Sequence, residues 1–463
     1  MQVCNTVTRL LYCVLWLGLN ACSPAKWDKT LPPASTLLSQ RGYQLVRASS
    51  HLHSPISYDA CSSLGADVCL QNLRDAICSN RLDFVGLTDH PDHMASNEFP
   101  ALLLFQPQSG DKLTLQNGNP IANTIQCPNS HTATVTAGFE SNLMAIGMTQ
   151  HLDPSISVRQ NLYTAQTAAF VTQLQQDAGA IVVMPHTEAK GKTVATLKDL
   201  NLDGIEIYNL HANINPKARA NDLGFTYFKG LMDLLVYWID PFGDQQPDLA
   251  FLSFLKVSDV YAKKWDYLIA QGQHVTGLAG NDGHQALFPG NASDGDKIDS
   301  FRRTTRWVTQ HYLVPDLTLT SMKSAIKNGR GWVVFEGLGS PSGFDFNGTN
   351  PVPTTADMGD TLSLAQGTIT LHVASPSLNK QSPQDKQSPA IRLNLIYVDS
   401  NGSETIVATS QSGGMDYVAT QAGAYRVEVW ITPLHLTSFI GYKKELAQKA
   451  FKWIITNHIY VSS

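Results

Sequence analysis

The stretch "AFVTQLQQDAGAIVVMPH", residues 169–186, decides the fold: helical spacing over 169–180 runs into an apolar strand, 181–186, that ends on His186. The same theme recurs on both sides of it. "FVGLTDH" (84–90) and "ATVTAGFES" (133–141) are predicted strands on the N-terminal side. "LDGIEIYN" (202–209), "VTGLAGND" (275–282) and "TTRWVTQ" (304–310) are predicted strands on the C-terminal side, and "LTSMKSAIKNGRG" (319–331) is a predicted helix closed by Gly329. Such alternation predicts an α/β fold, with βα units around a mainly parallel sheet or barrel, over residues 44–331.

Residues 210–257 interrupt that rhythm. "FTYFKGLMDLLVYWIDPFGD" is apolar and aromatic and reads as helical at its start. It suits either a cap over a barrel mouth or an extra core helix pair. From 332 to 463 the texture changes to alternating strands, "GTITLHVAS", "AIRLNLIYVDS", "ETIVATS" and "AYRVEVWIT", with turn signals such as "SNGS" between them. This predicts a small β-sandwich domain. "SPSLNKQSPQDKQSP" (375–389) reads as a polar loop.

The chain has 463 residues, 43% hydrophobic and 15% charged, with a formal net charge of -5. That length suits two or three domains with a large core. No basic stripe is present to hold a nucleic-acid backbone, so the expected partner is a small molecule. Oligomeric state is not legible. At the N-terminus Arg9 precedes an apolar run, Leu10 to Leu19, of secretory length and too short to span a bilayer comfortably. It ends in "LNAC", Leu19 to Cys22, which resembles a bacterial lipobox. The resemblance implies a signal peptide over 1–21, lipidation of Cys22, a tether over 22–43 and an exported protein anchored to the membrane of the envelope. A periplasmic or secreted protein cleaved elsewhere is the alternative. Four cysteines then remain, Cys61, Cys69, Cys78 and Cys127; in an exported protein they permit two disulfides, whose pairing spacing does not reveal.

The chemistry lies where histidines and carboxylates meet the strands. His51 and His53, in "ASSHLHSPISYD" (48–59), end the first strand, and Asp89 with His90 end the second. Glu140 ends "TAGFE", His151 follows in "GMTQHL", and His186 ends "IVVMPH". Asp282 and His284 end another strand in "GNDGH". The C-terminal ends of strands are where barrel enzymes gather catalytic side chains from separate loops. Residues two apart on a strand project to one face, so His51 with His53, or Asp282 with His284, can grip one ion. Imidazole with carboxylate suits zinc, manganese or iron. A lone buried histidine is commonly a structural hydrogen-bonding residue; repetition across several segments predicts a metal centre.

As an ordered set, "HLH" (51–53), "TDH" (88–90), "GFE" (138–140), "MPH" (184–186) and "NDGH" (281–284) resemble the PHP (polymerase and histidinol phosphatase) superfamily. The resemblance covers most of residues 45–330. It implies a distorted (β/α)7 barrel with two or three divalent ions. Carried onto this chain, it implies a first site of His51, His53, Glu140 and Asp282, with Glu140 bridging. A second site would use Glu140, His151 and His186, and a third His90, His284 and Asp59. His93 and His211 are expected at the rim, and Glu206 in a structural or supporting position. "AIKNGRGWVVFEG", "AYRVEVW" and the terminal "FKWIITNHIYV" resemble the carbaryl-hydrolase-like branch, with His458 at a variable position; that ending reads as a final strand packed on its own domain.

Clustered divalent ions lower the pKa of a shared water and offset charge on a reacting ester, so the expected activity is hydrolysis of a small phosphomonoester or phosphodiester by a metal-bridging hydroxide. A carboxyl- or carbamate-ester hydrolase with the same centre, and a non-enzymatic envelope binding protein, are the alternatives. Asp89 is expected to orient His90 or assist proton transfer, or else to make a structural hydrogen bond. His284 is expected to protonate the leaving oxygen if the third ion is absent. Arg303, in "SFRRTTRWV", is the expected substrate clamp, with Lys190 and Lys192 next in line. Neither a G-x-S-x-G elbow nor a Gly-Lys-Ser/Thr phosphate loop is present.

Overall fold

The computed structural model describes residues 27–37, 41–61, 64–240, 245–288, 290–352 and 355–463. The expected signal peptide and Cys22 lie outside the described residues. In chain order the strands of the first region are β1 (Gln44–Leu52), β2 (Phe84–Leu87), β3 (Lys112–Gln116), β4 (Asn119–Gln126), β5 (Thr132–Glu140), β6 (Met144–Met148), β7 (Ile181–Met184), β8 (Gly204–Asn209), β9 (Thr276–Gly280), β10 (Thr309–Val314) and β11 (Gly331–Val334).

The stretch at 169–186 folds as its pattern demands. Thr167 accepts a hydrogen bond from the Phe170 N–H and caps the helix Ala168–Gln176. All four residues of β7 are then buried, which apolar runs without alternation require. β1, β2 and β5 pair in parallel, as do β7, β8 and β9. Antiparallel β6 joins β5 to β7. A parallel bridge between Leu52 and Gly283 brings the end of β9 back to β1. The ends of β1, β2, β5, β7 and β9 therefore meet at one place. The architecture is mixed α/β around a large central sheet in which the site-bearing strands form two parallel runs.

One predicted strand is wrong. "TTRWVTQ" splits into the end of a helix, Phe301–Trp307, and the start of β10. Ser300 caps that helix by accepting from the Arg303 N–H, and Arg302, Arg303 and Arg306 all reach the buried carboxylate of Asp248. These tertiary ion pairs override the β-propensity of Thr304 and Thr305. The helix Leu319–Lys327 ends where expected, with Gly329 at φ 68°.

Residues 210–257 are largely helical, including Tyr227–Ile239 and the short helix Pro216–Asn221. Part of this segment lines the cavity described below; part, Pro247–Ser253, is core. Beyond residue 340, Asp345–Thr349, Thr355–Asp357, Ile369–Ala374 and Met415–Ala419 form one antiparallel sheet. A second set runs from Ala390–Val398 through Gly423–Thr432 to Phe451–Thr456, which pairs with β11. The β-rich region thus continues the sheet of the first region. The terminal motif stitches the two together: Asn457 Oδ1 accepts from the Gly277 N–H of β9, and its Nδ2 donates to the Gly331 carbonyl.

Over residues 27–37 the expected tether is packed onto the protein. The Arg306 guanidinium lies 4.9 Å from the Trp27 ring centroid, and Leu31, Ala34 and Leu37 are buried. The four cysteines pair as Cys61–Cys69 and Cys78–Cys127.

Candidate metal centre

The loop leaving β1 is held by Asp89. Its carboxylate accepts from the Ser54 N–H and hydroxyl, both at 2.7 Å, and from the Ser57 hydroxyl at 2.8 Å. Both oxygens are thereby used, so Asp89 fills the structural role among those open to it and is not free to pass protons at His90. Ser57 in turn stands 3.4 Å from His53 Nδ1. His51 Nδ1 lies 2.6 Å from the buried Glu206 carboxylate, which also accepts from the His186 N–H at 2.7 Å. His186 Nδ1 is 3.0 Å from Glu188, and His284 Nδ1 is 2.9 Å from the Asp282 carbonyl.

One ring nitrogen of each of these four histidines is therefore committed to a protein acceptor, which fixes the tautomer and turns Nε2 inward. His53 Nε2 is 3.3 Å and His51 Nε2 3.6 Å from Asp282 Oδ1. His186 Nε2 is 3.4 Å from Glu140 and 3.5 Å from Asp282 Oδ2. His90 lies between Asp59, at 2.9 Å, and Glu140, at 3.5 Å, and His284 Nε2 is 3.5 Å from Asp59. Among the described residues, four sets each have their ligand atoms within 4.8 Å of one another: His53, Asp59, His90 and His284; His51, His53 and Asp282; His51, Glu140 and His186; and His211, Asp282 and His284.

Electrostatics favour cations here. Burial works to raise the Glu140 carboxyl, but hydrogen bonds from His186 and His90 hold it below the usual carboxylate range. Burial opposes the charged form of Asp282 as well, and the neighbouring histidines outweigh it. Hydrogen bonds to Asp59 and Glu140 raise His90 to about 10. Protons thus stand where a divalent cation would bind. His51 Nε2, His53 Nε2 and Asp59 Oδ1 are buried without a hydrogen-bond partner. Such orphans are costly unless a further group satisfies them, and two imidazoles with carboxylates form a donor set that fits a divalent transition ion. His186 and Asp282 also hold positive φ, 51° and 48°, a strain that gathers at functional sites.

Three expected site residues fall elsewhere. His151 spends Nδ1 on the Tyr163 hydroxyl, at 2.9 Å, and Nε2 on the Asn97 carbonyl, at 2.8 Å, so it has no nitrogen left for an ion. Arg303 is fully buried in ion pairs with Asp248 and Asp294 and cannot clamp a substrate. Lys190 is exposed and does not line the cavity; Lys192 Nζ is spent on the Asn142 carbonyl. Conversely, His211 moves from rim to ligand distance. The motif pattern passes over Glu188; its place two residues after His186, off the end of β7, is the signal that marks it. The pattern passes over Lys217 as well, which lines the cavity.

Glu206→Gln tests the supporting shell. An amide cannot serve the His51 Nδ1–H and the His186 N–H as a carboxylate does. The expected result is a loss of about 10–100-fold in affinity for zinc or manganese, read by competition with a chromophoric chelator.

No family model and no curated protein matches the chain. Among solved structures it is similar to a two-domain protein from Bacteroides vulgatus containing a predicted PHP-like metal-dependent phosphoesterase, at 13% identity over 94% of this chain and 100% of that one, with a TM-score of 0.34. It is also similar to PsfC from Pseudomonas syringae, at 13% identity over 59% of this chain and 83% of that one, with a TM-score of 0.31. At that level likeness carries no weight for the chemistry, which rests on the cluster itself.

Proposed function

We propose that the chain is a PHP-superfamily metallohydrolase of ester bonds, with phosphoesters as the favoured substrates. The observation that supports this most is the pair of buried, partnerless Nε2 atoms of His51 and His53, aimed at Asp282. The strand succession from β1 to β9 suits a distorted (β/α)7 barrel, and the two sheets beyond it suit a β-sandwich.

His51, His53, Glu140, His186 and Asp282 would hold one part of a two- or three-ion centre, and Asp59, His90 and His284 the part nearer solvent, with His211 beside it. Bound divalent ions supply Lewis acidity and a water acidic enough to attack an ester near neutral pH. The chain's own groups do the rest. Glu140 spans the His90 and His186 sides and ties the two parts together. Glu206, Glu188 and Ser57 lock ring orientations, so little reorganisation accompanies reaction. Export to an oxidising compartment, with Cys22 as lipid anchor, belongs to the same proposal; the two disulfides suit it. A carboxyl- or carbamate-ester substrate is the second reading, favoured by the lack of arginine among the described residues that line the cavity.

Purified protein is stripped with chelator, reloaded with zinc, manganese or iron, and assayed on p-nitrophenyl phosphate, its bis-ester and naphthyl carbamates. Stripping is expected to cut phosphoester hydrolysis by about a hundredfold or more, and reloading to restore it. Metal-replete protein that cleaves no member of the panel ends the proposal.

A further inference from the structure

The cavity over the cluster, about 430 Å³, is of a size that takes a small organic ester. Among the described residues its wall carries five carboxylates, Asp59, Glu140, Glu188, Asp222 and Asp282, against one lysine, Lys217. The arginines that would ordinarily meet a phosphate dianion are spent: Arg302 and Arg303 pair with Asp248 and Asp294. With the lining histidines as neutral ligands and two divalent ions bound, the five carboxylates and the lysine come only to neutrality. A dianion entering it gives up its hydration for little added attraction, whereas a monoanion gives up far less.

Besides four histidines and Asn215, the lining has an apolar side. Ala212, Ala218, Ala286 and Leu287 face the same cavity, and Leu287 keeps 38% of its surface exposed. Its position is fixed, because the Leu287 and Phe288 N–H groups both donate to Asp299. A leucine held at the mouth of a cavity gains by covering an apolar substituent of the ligand.

We propose that this cavity selects singly charged esters bearing an apolar substituent, seated against Leu287 with the charge toward Lys217, and rejects doubly charged phosphomonoesters. The proposal rests on the metallohydrolase function above and narrows its substrate class. Non-hydrolysable probes test it without turnover. The metal-loaded full chain is titrated calorimetrically, at a pH where phenylphosphonate is a dianion, with diphenylphosphinate, dimethylphosphinate and phenylphosphonate.

Diphenylphosphinate is expected to bind about tenfold or more tightly than either of the others. Leu287→Asp is expected to erase its advantage over dimethylphosphinate. Lys217→Ala is expected to weaken both phosphinates by a similar factor of about 3–10. Equal affinities, a preference for phenylphosphonate, or an unchanged ratio in Leu287→Asp overturns the proposal. Protein that binds divalent ions but no phosphinate leaves the metallohydrolase function standing and removes this one; protein that binds no divalent ion removes both.

Discussion

Asp282→Asn is expected to lower phosphoester hydrolysis by about three orders of magnitude, ~4 kcal/mol of transition-state stabilisation, and to reduce the bound metal per chain. Among the described residues, no other carboxylate of the cluster faces so many of its histidines. Its Oδ1 faces His51, His53 and His284, and its Oδ2 faces His186; it belongs to two of the four ligand sets. Asparagine keeps the shape and tolerates the left-handed backbone, φ 48°, that aspartate holds here. The loss therefore isolates charge and ligation from folding. Elemental analysis, kcat/KM on the bis-ester and far-ultraviolet circular dichroism, taken together, check it. An Asp282→Asn variant with full metal content and activity would remove Asp282 from the centre.

How much of this centre is legible in the sequence follows from what is local. Residue type and position at a strand end are local properties, which is why His51, His53, His90, Glu140, His186, Asp282 and His284 can be gathered from the sequence alone. Which ring nitrogen is free is not local. His151 has the right type and lies near the end of β6, but Tyr163 and Asn97 occupy both its nitrogens. Arg303 follows the last motif as a clamp should, yet Asp248, 55 positions away, captures it. His211 looks peripheral in sequence because its helix, Leu210–Ile214, begins a segment that breaks the βα rhythm. The strand β7 is legible because continuous burial leaves a continuous apolar run. The segment 304–310 is not, since ion pairs with a distant aspartate decide it.

The largest stability effect is expected from Glu336→Ala. Arg47 in β1 and Glu336 just after β11 form a bidentate pair, 2.7 and 2.8 Å, with both side chains fully buried. Burial alone would raise the Glu336 carboxyl, but Arg47 beside it holds it well below the usual range. Arg47 also donates to the Pro32 carbonyl, which holds the expected tether against β1, and to the carbonyls of Asn80 and Arg81. Removing Glu336 leaves a buried guanidinium without its bidentate partner, its remaining direct side-chain hydrogen bonds going to carbonyls, at a cost of about 3–5 kcal/mol in urea denaturation with the disulfides intact. The pair itself contributes less than that figure, because most of it is the penalty of the stranded charge. Replacing both members, Arg47→Met with Glu336→Leu, is accordingly expected to recover about half of the loss or more. If Glu336→Ala costs under ~1 kcal/mol, or if the double variant is as unstable as the single one, the join between β1 and β11 is held by apolar packing and not by this pair.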